Sequence, residues 1–529
     1  MNRGAALIGL LAIAAAYFVI RPAAYAAVVS SAGVLLFLSC LKAEYRRDME
    51  GRALFAVVAM PLIAWSLPNI WLLYIVMGFW VPLLAGRRER LVGVYLFTLL
   101  LLPPLDIAVT IGSLRLFELG VLKALGLGAA FAIWRSSGRR SVPLACDGWV
   151  AAMLMVFCFA WSRDTAVTNY FRNGINIALS LGLPYYILSR GVRSMDELRT
   201  AMRWFACGGM ALSTELIFET VRVWPIYNQL YDLYGVPINL LIHTRGGLLR
   251  PGGPFLEATS VAMVLAMCLT AMLLLRRDFR SNLHHMALLV VNFIGLSVPQ
   301  SRGAWIGFFL SLAATELFRK RYRALLTKVV MIGCSVALVF AVAHSSVTLQ
   351  DSLGLSGGSK ETSDYRRRLF TRGQEEFWHS PIIGFSTPEL EWRLADMRQG
   401  EGIIDLVNTY LWIALVSGAT GLSVFFCLFG NTMRRLWRMR RRLTDPSALD
   451  SAAFAFGCLV MQAEMLFFTS FGDRPAILLF GVFGFAAALF TAARVPAVAP
   501  AMPSLPSLPS APPLATLPQA PKLAWAAGE

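Results

Sequence analysis

The chain has 529 residues, of which 57% are hydrophobic and only 15% charged. Soluble domains carry about 25% charged residues, so this composition excludes an ordinary soluble protein, and equally a disordered, collagenous or disulfide-stapled chain. A formal charge of +17 alone would suggest nucleic acid, but in so apolar a chain basic excess belongs in the cytoplasmic loops of a membrane protein, and no nucleic-acid partner is expected.

A bilayer-spanning helix needs about 20 mostly apolar residues. In the first half, runs of that kind are predicted at 5–20, 24–41, 53–67, 70–86, 91–105, 116–134, 149–162 and 174–188. The second half adds 200–221, 255–275, 286–298, 303–318, 325–344, 406–429, 452–470 and 476–493. This gives an all-α polytopic membrane protein of about 16 transmembrane helices. The first run has Arg3 ahead of an Ala-rich stretch, but another span follows at once, so it reads as a retained helix or signal anchor.

Basic clusters at 42–52, 87–90, 135–140, 190–203, 276–280, 319–323 and 434–442 fall in every second connection. The positive-inside rule makes those connections, and both termini, cytoplasmic. Two of the opposite connections are long, 222–254 and 345–405, and loops beyond about 12–15 residues usually carry function or are disordered. The second opens with a Ser/Gly stretch at 352–359 and continues into an amphipathic piece at 364–378. There Tyr365, Leu369, Phe370 and Phe377 are available to pack, beside the basic run at 366–368. The expected organisation is an N-terminal group of helices (1–221), a first periplasmic loop (222–254), further helices (255–344), a large, partly helical periplasmic loop (345–405), C-terminal helices (406–494) and a disordered Pro/Ala-rich cytoplasmic tail (495–529).

The 8 cysteines are dispersed without a C-x-x-C, and the 5 histidines are scattered, so neither a zinc cage nor a His-built metal site is suggested. There is no phosphate-binding P-loop, H-E-x-x-H, EF-hand or dinucleotide fingerprint. The informative residues are arginines on the outward side. Arg302 sits in a tight turn, Pro299-Gln300-Ser301-Arg302-Gly303, and Arg245 and Arg250 close the first outer loop. Positive charge is sparse outside, and arginine's rigid fork grips phosphate oxygens in bidentate fashion. The competing role for each is an interfacial arginine snorkelling to ordinary phospholipid headgroups. Three charges near apolar runs, Glu118, Lys123 and Glu464, are secondary candidates, and Gly303-x-x-x-Gly307 is a close-packing face between helices or between chains.

Four segments in order resemble the motifs of the O-antigen ligase and Wzy-type O-antigen polymerase family. Arg250-Pro-Gly-Gly-Pro-Phe255 is similar to its R-x-x-G-x-F motif, and Ser301-Arg302-Gly303-Ala304-Trp305-Ile306-Gly307 to its S-R-G/A-x-x-G span. Phe377-Trp378-His379-Ser380-Pro381-Ile382-Ile383-Gly384 resembles its loop motif. Val407-Asn408-Thr409-Tyr410-Leu411, followed by Gly418-Ala-Thr-Gly421-Leu422, resembles its H-N-x-y-L…G-x-x-G-L segment. The resemblance covers 245–429 and implies a GT-C-like membrane glycosyltransferase at the periplasmic face of the bacterial inner membrane. Such an enzyme moves a glycan from undecaprenyl diphosphate to a glycan or lipid-linked acceptor, with no required metal or cofactor. A flippase and a chain-length regulator are its expected partners.

By the resemblance, Arg250 and Arg302 hold the pyrophosphate and Arg245 assists. The family's usual His before the Asn is replaced here by Val407, which leaves three possibilities for activating the acceptor hydroxyl. His379 supplies an imidazole, a carboxylate such as Asp405 or Glu391 does so, or Asn408 merely orients the hydroxyl. Polymerase is preferred slightly over ligase, because nothing in the sequence points to a lipid A–core acceptor. The rivals are a lipid-linked oligosaccharide flippase or other transporter, disfavoured by the long outer loop and the lack of a visible internal repeat, and a non-catalytic envelope-assembly scaffold.

Overall fold

The computed structural model describes residues 20–112, 114–137, 143–236, 244–245, 247–343, 358–398, 404–470 and 473–493, with isolated positions between 9 and 17. Most of the predicted span at 5–20, most of the Ser/Gly stretch at 352–359 and the tail from 494 onward lie outside the described residues. The architecture is helical, with two small antiparallel hairpins. The first half runs α1 (Arg21–Cys40), α2 (Ala43–Ser66), α3 (Ile70–Ala85), α4 (Leu91–Thr98), then the hairpin β1 (Ile107–Ile111) and β2 (Leu114–Leu119). It continues through α5 (Val121–Ser137), α6 (Asp147–Ser162), α7 (Val167–Ile177), α8 (Leu183–Gly191), α9 (Met195–Arg222) and α10 (Asn228–Tyr234). After the hairpin β3 (Thr244–Arg245) and β4 (Leu248–Leu249) come α11 (Ala258–Leu274), α12 (Asn282–Ser297), α13 (Arg302–Phe318), α14 (Tyr322–Ala343), α15 (Gly358–Phe377) and α16 (Thr387–Arg393). α17 (Thr409–Met439), α18 (Pro446–Met465) and α19 (Asp473–Ala492) complete it.

α9 is the central post, with α1, α4, α11, α12 and α18 packed on it. Ser194 caps its start by accepting the Glu197 N–H, while Glu197 reaches back to the Arg193 N–H, so two otherwise orphaned donors are satisfied reciprocally. Close approach requires glycine where backbones meet. A Cβ on Gly33 of α1 would lie 2.5 Å from the Met210 carbonyl oxygen of α9, inside any tolerable contact. The 303–307 glycine pair serves packing within this chain: a Cβ on Gly307 would meet Met461 and Glu464 of α18 at 2.8 Å.

Among the described residues, 4 helices (α1, α2, α17 and α19) are by themselves long and apolar enough to cross a membrane, and α3 with the segment 88–98 forms a pair bent by 116°. That is fewer than the expected sixteen spans, for two physical reasons. Several apolar helices, including α6, α11 and α12, have only 16 or 17 residues, about 25 Å at 1.5 Å per residue against an apolar bilayer core of about 30 Å. Elsewhere apolar runs are not single helices. The run at 91–105 is an eight-residue helix followed by turns, and the run at 116–134 begins on a strand. Alternating β-branched residues at Ile107, Val109 and Ile111, then Gly112 at φ +60°, are the hairpin signal there. Glu118 accordingly lies on β2 beside Arg115, and buried Lys123 pairs with Asp106 at 3.2 Å.

The loop at 345–405 is partly helical, as expected, and builds its own small core. Tyr365 and Leu369 pack with Phe385, Leu390, Leu394, Leu411 and Leu415. Phe377 joins at the edge, whereas Phe370, expected to pack, stays 44% exposed. Two of the motif segments lock this loop to α17. Gly418 breaks the α17 helix with φ +63° and ψ −165°, which frees backbone groups around it. Leu415 C=O then accepts the Phe385 N–H at 2.7 Å, and the N–H groups of Ala419 and Thr420 donate to Pro381 and Ile382 at 2.8 and 3.2 Å.

Candidate functional site

A cavity of about 410 Å³ opens where α13 begins, lined by Arg245, Arg250, Arg302 and Arg366 together with Gln300, Ser301 and Phe468. Local backbone chemistry assembles it. Gln300 takes a φ of +53°, which costs a residue with a Cβ about 1–2 kcal/mol, and two arginines hold the turn in place. Arg245 donates to the Gln300 carbonyl at 3.0 Å and Arg250 to the Pro299 carbonyl at 3.1 Å. Each then has guanidinium N–H groups to spare at the cavity. Arg302 is the first residue of α13, so the positive end of a 17-residue helix adds to its charge.

The loop carrying Arg250 is braced from below. Gly253, at φ +52°, donates its N–H to Glu219 Oε2 at 3.1 Å, and Glu219 Oε1 accepts the Ile226 N–H at 2.9 Å. The guanidinium of Arg474 lies over the Phe255 ring at 4.2 Å. Glu257, exposed at the start of α11, feels the charges of Asp405, Arg474 and Arg250 and accepts from the Ser260 hydroxyl.

Burial pushes the Arg250 guanidinium down from 12.5 to about 10, with Arg245 as the next largest cause, and Glu257 pulling the other way. Arg245 is lowered by burial and then by Arg302 and Arg366. Arg366 is lowered by burial too, with Asp405 opposing and Arg302 adding to the effect. All remain charged at neutral pH, so the cavity holds mutually repelling cations, a state that a multivalent anion relieves.

The structure brings the three sequence-predicted arginines together and adds a fourth, Arg366. Its signal was helical periodicity: Tyr365 and Leu369 face the small core, Arg367 and Arg368 are exposed, and Arg366 sits at the edge of the buried face. Asp405 accepts the Ser470 hydroxyl at 3.0 Å and is within electrostatic reach of Arg366 and Glu257. Asn408 caps α17, its Oδ1 accepting the Leu411 N–H at 3.1 Å. Val407 packs against the apolar loop core. His379 is not brought to the cavity. It follows the end of α15, about 16 Å along the helix from Arg366, and its side chain is 61% exposed beside Glu376. Glu391 is exposed on α16. Glu464 faces Gly307, one turn of α13 below the cavity-lining Gly303, and its carboxylate oxygens have no hydrogen-bond partner among the described residues. Glu257 was missed because nothing in its sequence surroundings distinguishes it from an ordinary helix-start acid.

Among the described residues no group of three or more His, Cys, Asp or Glu side chains is placed to hold a metal ion. No curated protein matches the chain. Residues 287–426 match the Wzy_C family model, described as O-antigen ligase, so this segment, which contains Arg302, Arg366, Asp405 and three of the four motif stretches, is similar to that family and supports a role in assembling O-antigen or a related surface polysaccharide.

Proposed function

We propose that the protein is a membrane glycosyltransferase that transfers a glycan from undecaprenyl diphosphate to a sugar hydroxyl at the outer face of the bacterial inner membrane. The observation that carries this is the convergence of Arg245, Arg250, Arg302 and Arg366 on one cavity at the start of α13. In the reaction the acceptor oxygen bonds to the anomeric carbon, and the bond from that carbon to the diphosphate oxygen breaks. The lipid diphosphate leaves with the electron pair. Its developing negative charge needs preorganised cations, which the arginines supply without a metal. Arg302 and Arg250 hold the diphosphate, Arg245 and Arg366 complete the clamp, and Asp405 takes or orients the acceptor proton. Polymerisation of lipid-linked repeats is preferred over ligation, since no lipid A–core acceptor is suggested by any segment of the chain.

The test is reconstitution in proteoliposomes with undecaprenyl-diphosphate-linked repeats, comparing the wild type with Arg302→Ala and Arg250→Ala. Extended glycan from the wild type and a loss of roughly 100-fold or more in each variant support the assignment, the magnitude expected when a charge-stabilising donor is removed. Unchanged product from both variants sinks it. Movement of the donor across the bilayer without a new glycosidic bond identifies a flippase, and neither activity identifies a scaffold.

A further inference from the structure

A second cavity, of about 790 Å³, lies at the other end of α13. Arg302 opens that helix at the first cavity and Arg319 follows its last residue at the second. Seventeen residues at 1.5 Å rise separate them by about 26 Å, close to the thickness of a bilayer's apolar core. The two cavities therefore sit at opposite ends of one helix.

The second cavity is strongly basic. Its wall carries seven Lys or Arg side chains against two carboxylates, Glu316 and Asp450. Both acids are already committed: Arg319 pairs with Asp450 at 2.9 Å and Lys328 with Glu316 at 2.5 Å. The nearby Asp278 is neutralised by Arg199 and Arg203 at 2.6 and 2.7 Å. Among the described residues, Lys42, Arg276, Arg277, Arg280 and Arg321 have no carboxylate within ion-pair distance.

Two of these exposed cations, Arg276 and Arg280, are held by side-chain hydrogen bonds. The 40–42 and 278–280 segments pair through Lys42 N–H to Asp278 O and Arg280 N–H to Cys40 O, both 3.0 Å. Arg280 Nε donates to Leu41 O at 3.1 Å and Arg276 Nε to Asn282 Oδ1 at 3.1 Å. Beside them Leu273, Met286 and Leu289 give the same cavity an apolar wall. A volume of this size is that of a ligand pocket.

We infer that this cavity binds the phosphate headgroup of an anionic phospholipid from the leaflet at that end of α13, the acyl chains lying along Leu273, Met286 and Leu289. Basic pockets between membrane helices on the cytoplasmic side recognise such headgroups, and the unpaired cations supply the charge. The site is independent of the glycan-transfer assignment, because it shares no residue with the arginine cavity.

Binding of a fluorescent phosphatidylglycerol to the purified full-length protein tests it, using Arg277→Gln/Arg321→Gln and, as a charge-matched control, Arg441→Gln/Arg442→Gln at two exposed positions. Each arginine near a headgroup contributes roughly 5-fold in affinity, so the cavity pair should weaken binding roughly 25-fold while the control stays within about 2-fold. Unlabelled phosphatidylglycerol should displace the probe, and chain-matched phosphatidylcholine or inorganic phosphate at equal concentration should not. Equal weakening in both double variants, or no weakening in either, overturns the site. Displacement by inorganic phosphate as effective as by the lipid would reassign it to a free anion.

Discussion

Four guanidinium groups around one cavity oppose folding. Burial, and then repulsion from the neighbouring arginines, lowers the Arg250 pKa to about 10, which means the folded protein binds that proton less tightly than the unfolded chain does. The sign follows: below pH 10 the charged site costs stability, and the cost is relieved as pH rises from about 10 toward the ordinary 12.5. A bound diphosphate removes the same cost by pairing the charges. Diphosphate binding should accordingly be flat with pH around neutrality and weaken above about pH 10, and Arg250→Gln should abolish that limb, as read by titration calorimetry. The acceptor side separates two further residues. Asp405 lies within reach of Arg366, whereas His379 is exposed beyond the end of α15. Asp405→Asn should lower kcat by about 10²–10⁴-fold if it serves as the base, while His379→Ala should stay within about 3-fold. The reverse pattern would place the acceptor at the far end of the loop. Of these residues, Arg245, Arg250 and Arg302 were legible because they stand in connections outside the alternating basic clusters, where an arginine is conspicuous. Arg366 was hidden inside a basic run, and only its neighbours' burial singles it out.

At the level of helices and loops, two devices hold the cavity open. Glu219 of α9 accepts the N–H groups of both Ile226 and Gly253, anchoring the loop that carries Arg250. Glu219→Gln keeps the volume but sets one of those buried donors against an amide NH2 that cannot accept, so kcat/KM for the lipid-linked donor should fall about 10-fold, equivalent to roughly 1.4 kcal/mol. An Arg250 geometry independent of this brace would leave kcat/KM unchanged. The second device is the break in α17 at Gly418, into which residues 381–385 insert. A Cβ on Gly418 would lie 2.3 Å from the Ile382 carbonyl carbon, and one on Gly384 would lie 2.3 Å from the Leu415 oxygen. Gly418→Ala should therefore detach the loop, costing about 1–3 kcal/mol from the strained backbone alone, and limited proteolysis should cut within 358–398 much faster than in the wild type. The motif segments around Gly384 and Gly418 thus owe their spacing to each other. Their residue types were readable in sequence, but their mutual docking was not, since the two glycines are 34 positions apart and the segments meet mainly through backbone groups.

Across the bilayer, the sequence was most readable where physics acts through composition. Apolar runs and alternating basic clusters identify a helical membrane protein, and the motif stretches within 287–426 coincide with the segment that matches the O-antigen ligase model. Span counting was less successful, because an apolar run does not say whether it is one straight helix. The run at 91–105 is a short helix followed by turns and the run at 116–134 begins on β2, so neither is the single straight helix that hydropathy alone reads. α13 links the scales: its first residue belongs to the arginine cavity, its middle packs Gly307 on α18, and its far end meets the basic cavity at Arg319. The decisive quantity is how the arginine cavity discriminates among anions. Affinities of a short isoprenyl diphosphate and the corresponding monophosphate should be compared by calorimetry for the wild type and for Arg302→Ala, with thermal midpoints confirming that both are folded. The wild type should prefer the diphosphate by about 10-fold or more and Arg302→Ala should lose that preference, as expected when a bidentate charged contact is removed. Equal affinities for the two lipids in the wild type, or an undiminished preference in the variant, would contradict a diphosphate clamp at this site.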